Sequence, residues 1–235
     1  PEPATMDSRS LAPQRAATSD AASLLRDVPG VSLYGAGAVS SLPAINGLAD
    51  DRLRIKVDGM DLIASCPNHM NPALSYVDPS NLESLTVYAG IAPVSLGGDS
   101  IGGSIVAQTR APEFAAAGQG SIAKGELGAF YRSNNDARGG NASATFATEN
   151  FSISYNGARS EANNYTAGKN FKTYTATGRA GERMDRDEVG STGYKTDNHS
   201  LGIALRGGNH LFEARFGYQN MPEQLYPNQR MDLLD

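Results

Sequence analysis

Between residues 121 and 219 the sequence holds five segments in which apolar and polar side chains alternate one by one. This period of two constrains the fold more than any other feature. Successive side chains of a strand point to opposite faces, so each segment predicts a strand with one apolar and one polar face. The first sets Ala123, Leu127, Ala129 and Tyr131 against Lys124, Glu126 and Arg132. The second sets Ala142, Ala144 and Phe146 against Asn141, Ser143 and Thr145, and the third sets Phe151, Ile153 and Tyr155 against Ser152, Ser154 and Asn156. The fourth sets Leu201, Ile203 and Leu205 against Ser200, Gly202 and Arg206, and the fifth sets Phe212, Ala214, Phe216 and Tyr218 against Glu213, Arg215 and Gln219. Residues 148–150 and 206–209 are short enough for tight turns, whereas 160–197 is a long polar stretch.

Strands of about 10 residues, short turns alternating with long loops, and an apolar face carrying aromatics are the pattern of an outer-membrane β-barrel. A soluble antiparallel sheet or sandwich alternates in the same way, and the period alone leaves both open. The small and aromatic residues on the five faces, and a long loop that follows alternate strands, favour the barrel. Five strands cannot close a barrel around a folded domain, because a plugged lumen needs about 22. The sequence is therefore expected to be truncated at its C-terminus.

Composition narrows the classes further. No apolar run approaches the roughly 18 residues that a membrane-spanning helix requires, so any spanning is expected from strands. The formal net charge of -5 provides no basic footprint for nucleic acid. The one cysteine cannot close an intramolecular disulfide and is either a buried inert thiol or a functional one. There is no initiator Met and no signal-peptide pattern, as expected of a mature or excised segment.

Residues 1–20 are rich in Pro, Ala, Ser and Arg without a period and read as a flexible lead-in. Asp20 precedes AASLLRDVPG as an N-cap candidate, which predicts one helix of two to three turns. VSLYG, RLRIKVDG, SLTVYAG and GSIVAQT follow as short strand candidates separated by Gly-rich turns. Residues 21–112 are expected to form a small α+β domain, and 119–235 the antiparallel β-strands.

Three stretches occur in order: LLRDVPGV, then LPAINGLADDRLRIKVDGM, then SNLESLTVYAGIAPVSLGGDSIGGSIVAQT. They resemble the successive signatures of the plug domain of TonB-dependent outer-membrane receptors, and the five alternating segments resemble the start of the barrel that surrounds such a plug. The resemblance implies a bacterial outer-membrane location with lipid around the barrel, the periplasmic TonB energy-transducing complex as partner, and a receptor and transporter role rather than an enzymatic one. Asn46 stands where such plugs commonly carry the Arg of an Arg-Gly pair, and the first 20 residues hold no convincing TonB box.

Within that family, DGMDLIASCPNHMNPALSYVDPSN is most similar to copper receptors, whose plug supplies a Cys-x-x-x-Met ligand pair. Cys66 and Met70 match it position by position. Those receptors draw further ligands from a His-x-Met in the barrel, which this sequence lacks: His199 and His210 are followed two residues later by Leu201 and Phe212. The rest of the site is expected beyond Asp235, or altered.

The side-chain chemistry points the same way without the family. A thiolate and a thioether are soft donors that favour Cu(I), and imidazole suits copper as well as zinc. On one helical turn Cys66 and Met70 would face the same side, with Pro67 tolerated at its start and Asn71-Pro72 ending it. His69 would sit about 100° away on such a turn, which makes it an outer or alternative ligand, and Met60 is a weaker candidate. The plain alternative is that Cys66 is a small buried hydrophobe and Met70 a gap-filler. A catalytic Cys66–His69 pair is the enzymatic alternative, although sequence neighbours rarely have the geometry for it.

Other motifs carry less. GAGAVSS and SLGGDSIGG lack the spacing of nucleotide-binding loops, and ERMDRDE reads as a solvated mixed-charge run. Asp50, Asp51 and Asp58 are expected to pair with Arg52 and Arg54 inside the plug. If the cargo is instead a siderophore or other metal chelate, Tyr165, Tyr174 and Arg183 of the long loop are the candidates, with Cys66 merely buried. A soluble β-rich binding protein is the reading from another class.

Overall fold

A computed structural model describes residues 2–97, 100–177 and 180–227. The N-terminal unit is built on a five-stranded sheet. Its strands are β1 (Ala4–Met6), β4 (Leu53–Val57), β5 (Met60–Asp61), β6 (Leu82–Ala89) and β7 (Gly103–Thr109), and β2 (Val31–Gly35) and β3 (Ser41–Ile45) form a separate antiparallel pair. The sheet order is β1-β6-β7-β4-β5, with β4 and β7 parallel and the other neighbours antiparallel. One face is covered by α1 (Ser8–Arg15) and by the 3-10 turns Ala21–Leu25 and Ala73–Tyr76. The core joins Leu11, Leu24, Leu25, Ile45, Leu74, Leu82, Leu85, Val87 and Ile105, all buried. Each such side chain contributes about 1.5–3 kcal/mol by leaving water. Gly103 opens β7 at φ 126, where an added Cβ would come 2.1 Å from the Tyr88 carbonyl oxygen. Only glycine lets β7 enter between its neighbours at that point.

The structure corrects two expectations here. Within the expected lead-in 1–20, the described residues 2–20 are structured rather than loose. β1 pairs with β6, with Thr5 opposite Thr86. Asp7 and Ser10 close a reciprocal capping box on α1, and Leu11 is fully buried. The second correction concerns the segment after Asp20. The cap is present, with Asp20 accepting from the Ala22 N–H at 3.1 Å, but it opens a five-residue 3-10 helix. Val28 then bonds back to Leu25, and Pro29-Gly30 turns the chain into β2 before an α-helical turn can form.

The second sheet comprises β8 (Ser121–Arg132), β9 (Ala137–Thr148), β10 (Phe151–Ala162), β11 (Tyr194–Gly207) and β12 (His210–Gln224), each antiparallel to its sequence neighbour. The 119–235 segment thus holds the five expected strands, with residues 228–235 outside the described range. Connections 133–136 and 163–193 lie at one end, and the two-residue turns 149–150 and 208–209 at the other. The sheet is open, with β8 and β12 at its edges.

Its faces are the reverse of a soluble sandwich. Apolar Leu127, Phe216 and Tyr218 stand outward, exposed at 86%, 62% and 63%, while polar Ser152, Asn156, Ser160 and Thr196 face inward and are buried. A water-soluble sheet buries its apolar face, whereas a barrel wall turns it to lipid. Outward rows run from Phe151, Leu205 and Phe212 up to His199 and Tyr218. From Phe151 to Gly157, the residue opposite His199, is six strand positions, or about 20 Å, close to the height of a lipid-facing band. At its upper limit His199 stacks between Tyr155 and Tyr218, at 6.1 and 6.3 Å between ring centres. Beyond it the same face turns ionic, with Arg138–Glu161 at 2.6 Å and Arg159–Asp197 at 3.5 Å.

The candidate metal-capture loop

Residues 62–72 leave β5 and run to the 3-10 turn Ala73–Tyr76. Within them the His69 N–H donates to the Cys66 carbonyl at 2.9 Å, closing a tight turn over Pro67 and Asn68. Proline presets the backbone for the second position of such a turn. His69 then takes the left-handed conformation, at φ 52, which no helix residue adopts. The expected helical turn carrying Cys66 and Met70 on one face is therefore replaced by a reversing turn, with the two sulfur residues on its arms. Both are partly buried, and Cys66 is a free thiol.

Three hydroxyls hold the loop in shape. The hydroxyl of Ser40, itself fully buried, donates to the Met70 carbonyl at 2.6 Å. The Tyr76 hydroxyl accepts from the Ser65 N–H at 2.8 Å and lies 3.1 Å from the Asn71 carbonyl, so it bridges both arms. The Tyr226 hydroxyl, from the segment that follows β12, donates to Oδ1 of Asn71. Burial first, then the neighbouring Cys66 sulfur and Tyr76 phenol, raise the Tyr226 pKa above its ordinary value. His69 Nε2 lies 3.9 Å from the Asp51 carboxylate. Met60 is exposed on β5.

Tyr226 continues from the strand end opposite Tyr194, at which the long loop 163–193 also ends, so the Cys66 loop faces the long-loop end of the sheet. A thiol and a thioether are soft donors of the kind that Cu(I) prefers. Among the described residues, no group of three His, Cys, Asp or Glu side chains converges as a metal site, the ERMDRDE run included. The roles of Ser40, Tyr76 and Tyr226 have no counterpart in the sequence pattern. Tyr76 follows Cys66 at no motif spacing, and Tyr226 lies 160 positions further on, past the last alternating segment.

The long loop has structure of its own. Isolated bridges join Thr166 to Glu188 and Ala176 to Arg183, and the Asn164 side chain accepts from the Thr192 and Gly193 N–H groups at 2.9 Å each. Tyr165 is exposed there, with its N–H bonded to Thr192 Oγ1 at 3.0 Å, and Tyr174 is partly buried.

The acidic residues of the plug pair differently from expectation. Arg54 holds Asp61 through two bonds of 2.7 and 2.8 Å across the β4–β5 turn, and Asp58 reaches Arg215 on β12 at 3.0 Å. The turn brings Asp61 back beside β4, whereas Asp58, at φ 50, projects to the sheet. Arg110 adds a further plug-to-sheet ion pair, to Glu126 at 2.9 Å.

A family model described as the TonB-dependent receptor plug domain matches residues 5–104. No curated protein matches the sequence. Among solved structures, the copper transporter OprC is similar at 20% identity and a TM-score of 0.74, over 97% of this chain and 31% of that one. The FrpB iron transporter from Neisseria meningitidis, F3-3 variant, is similar at 20% identity and a TM-score of 0.72, over 93% and 31%. The ferric enterobactin receptor PfeA is similar at 16% identity and a TM-score of 0.64, over 98% and 36%. At these identities the likeness is one of fold, and the chain spans about a third of each of those structures.

Proposed function

Taking the chain as the plug-bearing part of a TonB-dependent receptor, the family whose plug-domain model matches residues 5–104, we propose that the whole protein imports copper across the bacterial outer membrane. The observation that carries this reading is the pair Cys66 and Met70 on the arms of one turn, at the end of the plug that faces the long loop. In outer-membrane barrels the longer loops are extracellular and the short turns periplasmic. A cation arriving from outside meets the two sulfurs before the rest of the plug. Cu(I) is the ion these donors prefer, and His69, held toward Asp51, serves at most as a secondary ligand after rotating. Further ligands come from barrel residues outside this chain. The TonB complex acts on the plug from the periplasmic side and shifts it against the sheet to admit the ion. The chain's own contribution is capture and positioning, with no bond-making step.

The likeness to the copper transporter supports this reading at the level of fold. Elemental analysis of the purified full-length protein tests it: about one copper per polypeptide in the parent and none in Cys66→Ala is the expected result. A parent that holds no copper overturns it.

The comparable likeness to an iron transporter and to a ferric enterobactin receptor favours a second reading, in which the cargo is a ferric chelate and Cys66 is structural. Exposed Tyr165, with Tyr174 and Arg183 of the same loop, would then face the chelate. Protection of the full-length protein from thermal unfolding by a ferric catecholate, and none by copper, would establish this reading over the first.

A further inference from the structure

We propose that Tyr226 and Tyr76 are positioning residues for the Cys66 sulfur, clasping its loop from the sheet and from the plug so that capture of a soft metal ion depends on where β12 ends. The proposal rests on the copper reading for its cargo, but the clasp itself is a property of the loop. Tyr76 closes it: one hydroxyl contacts Ser65 at the start of the sulfur-bearing turn and Asn71 at its end, which brackets every residue from Cys66 to Met70. Tyr226 docks it, because its hydroxyl donates to the side chain of the same Asn71.

The docking segment has little freedom. A Cβ added at Gly37, where φ is 106, would come 2.7 Å from the Leu225 carbonyl oxygen, so residues 225–227 press on the plug beside the loop as well. Gln219 of β12 adds a third point, its Nε2 donating to the Ser75 carbonyl at 3.0 Å. The end of β12 therefore grips the plug around the Cys66 loop at Gly37, Asn71 and Ser75. A shift of the plug relative to β12 separates Tyr226 from Asn71 and frees the Met70 end of the turn, loosening the whole Cys66 loop.

The test uses the full-length receptor in detergent, with Tyr226→Phe, Asn71→Ala, their double variant and Tyr76→Phe. The readout is the rate at which a charged maleimide modifies Cys66, followed on the Cys66 peptide by mass spectrometry. Losing one net hydrogen bond changes the open population roughly fivefold. Tyr226→Phe and Asn71→Ala should each raise the rate by about that factor. The double variant should rise no further, because both remove the same bond, and Tyr76→Phe should raise the rate at least as much. Thermal midpoints should stay unchanged, which separates positioning from loosening of the whole plug. Cu(I) affinity, by competition with a chromophoric chelator, should fall in the same order.

Unchanged modification rates in Tyr226→Phe and Tyr76→Phe would overturn the clasp. So would multiplying effects of the Tyr226 and Asn71 substitutions. A parent that binds no Cu(I) would overturn the copper reading and leave the maleimide rates to decide the clasp alone.

Discussion

Arg215 on β12 and Asp58 at the β4–β5 turn lie 3.0 Å apart and join the plug to the inner face of the sheet. Asp58 is shared: its carboxylate also accepts from Thr109 N–H at 2.8 Å and from Thr109 Oγ1 at 2.7 Å. Arg215 itself also donates to Thr109 Oγ1. Removing the carboxylate leaves a partly buried guanidinium and an N–H without this acceptor. Asp58→Ala should therefore cost about 1–3 kcal/mol, after allowing for partial solvent screening of the pair. Chemical unfolding of the full-length protein followed by plug-specific proteolysis measures it. An unchanged midpoint with unchanged cleavage would show the pair to be ornamental.

A pH experiment isolates the second acidic contact. Arg54 holds the Asp61 carboxyl down at about 2, chiefly by hydrogen bonding and then by its charge, with Lys56 assisting. The ordinary value is 3.8, so the contribution of this pair is complete above 3.8 and is lost as pH falls through about 2. Arg54→Gln should return the Asp61 titration toward 3.8. Carbon-13 titration of labelled aspartate carboxyls reads the shift, and an unmoved Asp61 signal would refute the assignment to Arg54.

The outward face offers a direct distinction between lipid and water. Phe216 is 62% exposed on the apolar face of β12. A cation at mid-depth on a lipid-facing strand costs about 2–4 kcal/mol, whereas at an exposed site in water the cost falls within about 0.5 kcal/mol. Phe216→Arg in the full-length protein should thus lower stability in lipid vesicles by the larger amount. A change within the smaller range would contradict a membrane-facing sheet.

Replacing one sulfur without changing volume separates ligation from packing. Met70→Leu is close to isosteric and should cost less than about 1.5 kcal/mol of stability. If Met70 is a ligand, the variant should nonetheless lose most of its bound Cu(I). Full retention of copper would return Met70 to a packing role.

Much of this architecture is legible along the chain, because a strand's two-residue period is a local property. Ala142, Ala144 and Phe146 do face one way and Asn141, Ser143 and Thr145 the other, as their alternation requires. GSIVAQT and VSLYG coincide with β7 and β2. The turns expected at 148–150 and 206–209 and the long loop expected at 160–197 are present as 149–150, 208–209 and 163–193, with β10 and β11 extending a few residues into the expected loop.

What only the tertiary structure decided depends on partners far away in sequence. Residues 4–6 have no strand-like pattern of their own and become a strand because β6, 81 positions on at Thr5–Thr86, offers an open edge. The Cys66 turn departs from the helical expectation because His69 takes a left-handed conformation. Its surroundings, Ser40 behind Met70, Tyr76 across the loop and Tyr226 from β12, are brought together by pairing and packing over as many as 155 positions. The candidate donor types are therefore readable in SCPNHM. The hydroxyl contacts around them are not, because local spacing carries no record of which distant hydroxyl reaches which loop.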